Sequence, residues 1–199
     1  MIAIIDYGMG NLKSVKKALD FLGFEAKITS EKKDILDASH VILPGVGAFA
    51  DAMSNLNKRG LITPIKKSID SGKPFLGICL GMQLLFDYSL EYGRSEGLKV
   101  VSGGVEHFSL TDKKVPHMGW NSLKVHDNPI IPKEENLYVY FVHSYHAVNV
   151  PEENVIATTE YGYEFVSAVS KGNVFGLQFH PEKSAGKGLN MLRRFGGLK

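Results

Sequence analysis

Residues 73–86 read KPFLGICLGMQLLF, and this stretch holds the chain's only cysteine, Cys79. An apolar run leads into Gly77-Ile78-Cys79-Leu80-Gly81, and a segment with helical spacing follows. A strand-to-helix turn of the form Gly-x-nucleophile-x-Gly strains its central residue, and a Cβ at either flanking position would collide with the tight turn. Such an elbow lifts Cys79 out of the sheet to the N-terminus of the next helix, where unpaired amides and the helix dipole favour a thiolate. A lone cysteine among apolar residues is ordinarily an inert small hydrophobe. The paired glycines and the strand before them weigh against that here.

Outward from this turn the chain has two textures. Over residues 1–88 short apolar runs alternate with helical periodicity: IAIID, then a helix over 12–22; EAKIT; HVILP, then helices over 49–57 and 62–71; PFLGIC, then a helix over 80–88. Continuous apolar strands alternating with helices predict βαβ units around a parallel sheet buried on both faces. From about residue 98 the segments LKVVSGGVEHF, LYVYFVHSYHAV, NVIATTEY and EFVSAVSKGNVFGLQF are rich in Val, Phe, Tyr and Thr and broken by Gly and Asn, which predicts strands and hairpins. A helix over 185–195 closes the chain. The expected fold is α/β: an open, mostly parallel central sheet with helices on both faces and additional antiparallel strands in the C-terminal half.

With 199 residues, 44% of them hydrophobic, one domain spanning 1–199 is expected. The 23 basic and 21 acidic residues nearly balance, which points to neither nucleic acid nor an anionic membrane as partner. No apolar run approaches the ~18 residues that span a bilayer, and the N-terminal run lacks the basic flank of a signal peptide. A single cysteine and no leader predict a reducing, cytoplasmic setting.

A cysteine nucleophile needs a base, and the base needs an orienting group. Of seven histidines, His180 in FGLQFHPEKS follows an apolar strand and precedes Pro181. Proline biases the residue before it toward extended backbone, which keeps His180 at the strand end. Extended residues at i and i+2 share a face, so Glu182 can reach one ring nitrogen and leave the other for the thiol. A solvated turn explains HPE alone; with the elbow it becomes a candidate triad of Cys79, His180 and Glu182. The oxyanion of acyl transfer needs fixed N–H donors. Leu80 supplies one, and the glycine-rich turn Gly45-Val46-Gly47 in LPGVGAF can supply a second from Val46 or Gly47, although taken alone these residues read first as a plain strand-to-helix turn.

PGVG, GICLGMQLLF and FHPEKS, in this order and spacing, resemble the class I, triad-type glutamine amidotransferases over essentially the whole chain. DYGMGNLKS, PHMGWN and YFVHSYHA further resemble the glutaminase subunits of two-chain imidazole glycerol phosphate synthases of histidine biosynthesis. The resemblance implies that Cys79 attacks the carboxamide of L-glutamine, that His180 protonates the departing ammonia and activates water, and that Glu182 orients His180. It assigns glutamine binding to Gly45, Gly47, Gln83, Glu91 and the loop of His143, Ser144 and Tyr145, with Glu91 suited to the α-ammonium. It implies a heterodimer with a (βα)₈-barrel cyclase that uses the ammonia, because these residues hold no synthase, and it puts Asn11, Trp120 and Lys183 at that interface. No cofactor and no metal are expected. If the amide near Val46 or Gly47 points away in the free chain, the oxyanion hole is incomplete until the loaded partner turns it.

Two other motifs lead elsewhere. GMGN after the first strand lacks the third glycine of a dinucleotide loop. His143 and His146, at i and i+3 in a strand-like segment, are expected on opposite faces, without companions for zinc. His40, His107, His117 and His126 have no partner legible in sequence. The rival readings are a cysteine peptidase, which needs neither PHMGWN nor Gln83; a binding module with an incidental Cys79; and a glutaminase serving another synthase, against which PHMGWN argues.

Overall fold

The computed structural model describes residues 1–199. Its first half follows the predicted alternation: β1 (Ile2–Ile5), α1 (Leu12–Phe21), β2 (Ala26–Thr29), α2 (Lys32–Asp37), β3 (His40–Gly45), α3 (Phe49–Lys58), α4 (Ile62–Asp70), β4 (Phe75–Cys79) and α5 (Leu80–Gln83). The second half is β5 (Tyr88–Ser89), β6 (Ser95–Glu96), β7 (Gly104–His107), β8 (His117–Ser122), β9 (Lys124–Val125), β10 (Tyr138–His143), β11 (Tyr145–Val148), β12 (Val155–Glu160), β13 (Glu164–Lys171), β14 (Val174–Leu177) and α6 (Ala185–Gly196).

One sheet runs in the order β2-β1-β3-β4-β14-β13-β11-β7-β5-β6, with β12 and β9 branching from β13. Its first five strands are parallel. From β14 onward it continues through antiparallel β13, β11 and β7. β8 and β10 form a separate antiparallel ribbon. Successive strand residues point to opposite faces, so β1 sends Ile2 and Ile4 into a core shared with Leu19, Leu192 and Phe195 of α1 and α6. Ala3 and Ile5 enter the other core, with Ile35, Leu56 and Ile65 of α2, α3 and α4. Helices therefore cover both faces, as expected. No helix is long and apolar enough to cross a membrane.

The structure departs from the sequence reading in four places. The helix expected over 80–88 is a single turn, Leu80–Gln83, and the chain then turns toward β5; Leu84, Leu85 and Phe86 are fully buried all the same, so their apolar pattern reflected burial and not a helix face. Lys32–Asp37 is a short helix with one fully buried residue, Ile35, too weak a stripe to stand out. Of LKVVSGGVEHF only Gly104–His107 form a strand. LYVYFVHSYHAV breaks at Ser144 into β10 and β11, and in consequence His143 and His146 both pack on Phe108, with ring centroids at 5.1 and 4.6 Å, instead of facing apart.

The parallel strands bring two backbones into direct contact. Gly45 of β3 lies opposite Cys79 of β4, and a Cβ on Gly81 would overlap the Leu43 carbonyl oxygen. A Cβ on Gly77 would sit 2.5 Å from Gly81 O. Neither obstacle is the end of a flexible side chain, so relief requires the strands to separate. We expect Gly81→Ala to lower stability by about 3 kcal/mol or more in urea unfolding. Gly186→Ala in α6, where nothing lies within 4 Å, should change it by no more than about 1 kcal/mol and in the stabilising direction.

Candidate active site

Cys79 ends β4 at φ 55°, ψ −112°, a conformation that L-residues rarely adopt. Close packing of Gly77 and Gly81 against their neighbours fixes that turn, and it aims the side chain into an open cleft of about 350 Å³. The cleft is lined by Cys79, Leu80, Gln83, His180 and the chain around Val46, Glu91 and His143. With only one helical turn behind the elbow, the helix dipole expected to favour a thiolate is small.

His180 is extended (φ −98°, ψ 98°), as its following proline requires. Its N–H donates to Tyr140 O at 3.0 Å, and its carbonyl accepts from Ser184 Oγ at 2.6 Å, which clamps the residue to β10. Glu182 reaches it by a different route from the one expected: Pro181–Lys183 is a 3₁₀ turn and not an extended run, and the turn folds Glu182 Oε1 back to 2.9 Å from His180 Nδ1. Both side chains are almost wholly buried, at 3% and 1% exposure. An Nδ1–H donating to the carboxylate leaves Nε2 as the reactive nitrogen, and Nε2 has no hydrogen-bond partner.

Burial alone would lower the basicity of His180. The neighbouring Cys79 and Glu182 outweigh it and raise the imidazole to about 9. The thiol itself donates to Val142 O at 3.9 Å and accepts from Gln178 Nε2 at 3.8 Å.

The remaining residues singled out in sequence divide by place. Gly45 ends β3 beside the elbow, and Val46 and Gly47 form an exposed rim. Leu80 opens the turn after Cys79. Gln83 lines the cleft although it is largely buried, and its Nε2 donates to Tyr145 O at 3.1 Å and Gln178 Oε1 at 3.0 Å. Glu91 accepts the Phe49 N–H at 2.7 Å, capping α3 from a distant segment while lining the cleft. Ser144 and Tyr145 form the opposite wall, and burial, then Glu91 and Tyr92, hold the Tyr145 phenol above its usual range.

His143 continues into a buried chain. Its Nδ1–H donates to Tyr145 O at 2.8 Å, and its Nε2 accepts from His117 Nδ1–H at 3.0 Å. His117 Nε2 accepts from Asn121 Nδ2 at 3.3 Å. Two protonated rings cannot face one another there, and burial first of all lowers His117 to about 4 and His143 to about 3. His40 bonds Leu198 O, and His107 bonds Phe108 O.

Trp120 and Lys183 lie outside the cleft. Trp120 is 53% exposed on the β8–β10 ribbon beside Met118 at 61% and Tyr138 at 49%. Its ring packs 6.2 Å from Tyr140, over which Lys183 Nζ sits at 5.9 Å. Asn11 precedes α1 and makes no side-chain cap. Sequence reasoning missed two buried polar groups at the site, Gln178 and Tyr7. Gln178 had a signal, since it is polar within an apolar strand run and two residues from His180, hence on its side of the strand. Tyr7 had none.

A family model described as glutamine amidotransferase class-I matches residues 3–196. Imidazole glycerol phosphate synthase subunit HisH of Caldanaerobacter subterraneus subsp. tengcongensis is 53% identical, over 100% of this chain and 98% of that protein. The HisH subunit of Geobacter sulfurreducens is 48% identical, over 100% and 99%. Among solved structures, PurLQS from Thermotoga maritima matches with TM-score 0.77 at 22% identity, covering 98% of this chain and 96% of that one. The Trypanosoma brucei CTPS glutaminase domain with bound acivicin matches with TM-score 0.65 at 17% identity, over 100% and 94%. Both structural likenesses speak to the fold.

The pairing of His180 with Glu182 has a measurable signature. The imidazole is raised above its unfolded value near 6.5, so its stabilising contribution is full below that pH and is lost as pH rises through about 9. In an NMR titration, Glu182→Gln should move the His180 midpoint down from about 9, and its stability deficit should be larger at pH 6 than at pH 10.

Proposed function

The chain belongs to the class-I glutamine amidotransferases and, within them, to the HisH subunits of imidazole glycerol phosphate synthase, and from this we propose that residues 1–199 act as one glutaminase domain supplying ammonia to a cyclase partner in histidine biosynthesis. The observation that carries the reading is that Cys79 and His180 line one cleft, with Glu182 bonded to the histidine's Nδ1 and its Nε2 left without a partner.

The chemistry runs in two halves. The Cys79 thiolate attacks the side-chain carbonyl carbon of L-glutamine, and the oxyanion is held by the Leu80 N–H and an amide of the Val46-Gly47 turn. Collapse of the tetrahedral adduct expels ammonia as His180 Nε2 delivers its proton, which leaves a thioester on Cys79. Neutral His180 then takes a proton from water. The hydroxide equivalent adds to the thioester, and glutamate leaves as the thiol is restored. Glu182 keeps Nδ1 protonated through both halves and stabilises the imidazolium.

Gly45, Gly47, Gln83, Glu91, His143, Ser144 and Tyr145 bind the amino acid. Glu91 suits the α-ammonium: one carboxylate oxygen is held by the Phe49 N–H, which fixes the group while the second oxygen stays available. The exposed aromatic face around Trp120, with Lys183 and Asn11, docks the partner, a (βα)₈-barrel cyclase that joins the ammonia to PRFAR to give imidazole glycerol phosphate and AICAR. An exposed apolar patch of this kind marks an interaction surface. Ammonia released into water would be protonated and lost, which favours transfer through a covered path. The reading places the chain in the cytoplasm.

Glutamate release from L-glutamine, measured for the chain alone and with the cyclase and PRFAR, tests this directly. Activity should depend on the loaded partner and fall by at least about 10³-fold in Cys79→Ser. Release by Cys79→Ser at the wild-type rate would refute the nucleophile, and no release under any condition would refute the glutaminase. Trp120→Ala should weaken partner binding by about tenfold or more in calorimetry, with the melting temperature of the free chain unchanged.

A further inference from the structure

Cys79 meets two polar groups besides His180, and they respond oppositely to its charge. As a thiol, sulfur donates to Val142 O at 3.9 Å and receives an N–H from Gln178 at 3.8 Å. When the thiol ionises, the Val142 carbonyl loses its donor and presents a partial negative charge to an anion. The Gln178 N–H keeps its partner and gains a charge-assisted bond, which is shorter and stronger than a neutral one. Gln178 is fully buried, so no water competes for that donor.

The orientation of the Gln178 amide is settled by its surroundings. Tyr145 O is a backbone carbonyl and can only accept. It receives Gln83 Nε2 at 3.1 Å and His143 Nδ1–H at 2.8 Å, which uses both lone pairs. Gln83 therefore presents nitrogen on this side, and its second N–H donates to Gln178 Oε1 at 3.0 Å. With Oε1 taken, Gln178 must turn Nε2 to the sulfur. A flipped Gln178 would set donor against donor at Gln83 and oxygen against the thiolate at Cys79.

We propose that Gln178 is a further catalytic residue of this site, a side-chain N–H donor that stabilises the Cys79 thiolate, and that Gln83, pinned by Tyr145 O, is its positioning residue. The proposal rests on the glutaminase reading for its place in the reaction, but the contact with sulfur stands without it. The titratable groups around Cys79 are His180 with Glu182 behind it, Tyr7 just past β1, and His143, Tyr145, Glu91 and Tyr92, which line the same cleft.

The chain has one cysteine, so alkylation of the full-length protein by iodoacetamide reports Cys79 alone. The rate followed from pH 5 to 10 gives the ionisation midpoint. Gln178→Leu should raise it by about one pH unit, slowing alkylation below the wild-type midpoint about tenfold. Gln178→Glu, which keeps the shape and puts a carboxylate oxygen where Nε2 stood, should raise it further. A merely structural role would lower the melting temperature and leave the midpoint in place. Midpoints unchanged in both folded variants would overturn the proposal. Should neither variant fold, the Gln178 side-chain amide resonances of the wild type decide it: they should move with the Cys79 titration and cease to move in Cys79→Ala, and resonances indifferent to that titration would overturn it. Glutamate release assayed alongside separates the two readings. Shifted midpoints in a protein that never releases glutamate would sink the glutaminase alone, and unshifted midpoints in an active enzyme would sink the donor alone.

Discussion

Everything at the site depends on a backbone contact that contains no catalytic atom. Gly81 packs on the Leu43 carbonyl so closely that a methyl group would overlap it, and Gly77 packs on Gly81. These contacts hold β3, β4 and the turn after β4 at a separation that only glycine permits. Cys79 pays in strain, with its positive φ. A residue held in that conformation costs on the order of 1–3 kcal/mol. Loss of the contact would let the turn relax and withdraw the sulfur from His180.

Polar groups are then brought to the elbow from three directions. β14 runs parallel beside β4 and delivers Gln178 and His180 just past its end. The β8–β10 ribbon supplies Val142 and His143, and its Tyr140 accepts the His180 N–H on its carbonyl and donates its own N–H to Ser184 Oγ. The segment after α5 returns Glu91 to the start of α3. Few of these groups are interchangeable, because each bond fixes which atom donates. Tyr145 O, as an obligate acceptor, sets the tautomer of His143 and the rotamer of Gln83 together.

The parts legible in sequence were those with local causes. The elbow follows from two glycines around Cys79, the extended His180 from Pro181, and the parallel half from continuous apolar strands. What stayed hidden depends on distant partners. The run after Cys79 has helical spacing, yet it breaks after one turn because Leu84–Phe86 are anchored individually in the core. Gln83 at the fourth residue after Cys79 suggested the cleft, which it lines, but not the bonds of its amide to Tyr145 and Gln178, 62 and 95 residues away in sequence. The pairing of His117 with His143 needed the antiparallel register of β8 and β10, which sets them directly opposite. No short-range pattern encodes that register. Glu91 was legible as an acid near the site but not as a cap, since the helix it caps begins 42 residues earlier.

The ribbon has a mechanical consequence. Trp120 lies opposite Tyr140, and His117 opposite His143, three rungs along the same ladder. At ~3.4 Å per residue this separation is about 10 Å. One end of a short lever thus meets the outside, and the other forms one wall of the cleft. A force applied at the aromatic end has no flexible linker in which to dissipate. Any body seated there becomes part of the mould that shapes the cleft.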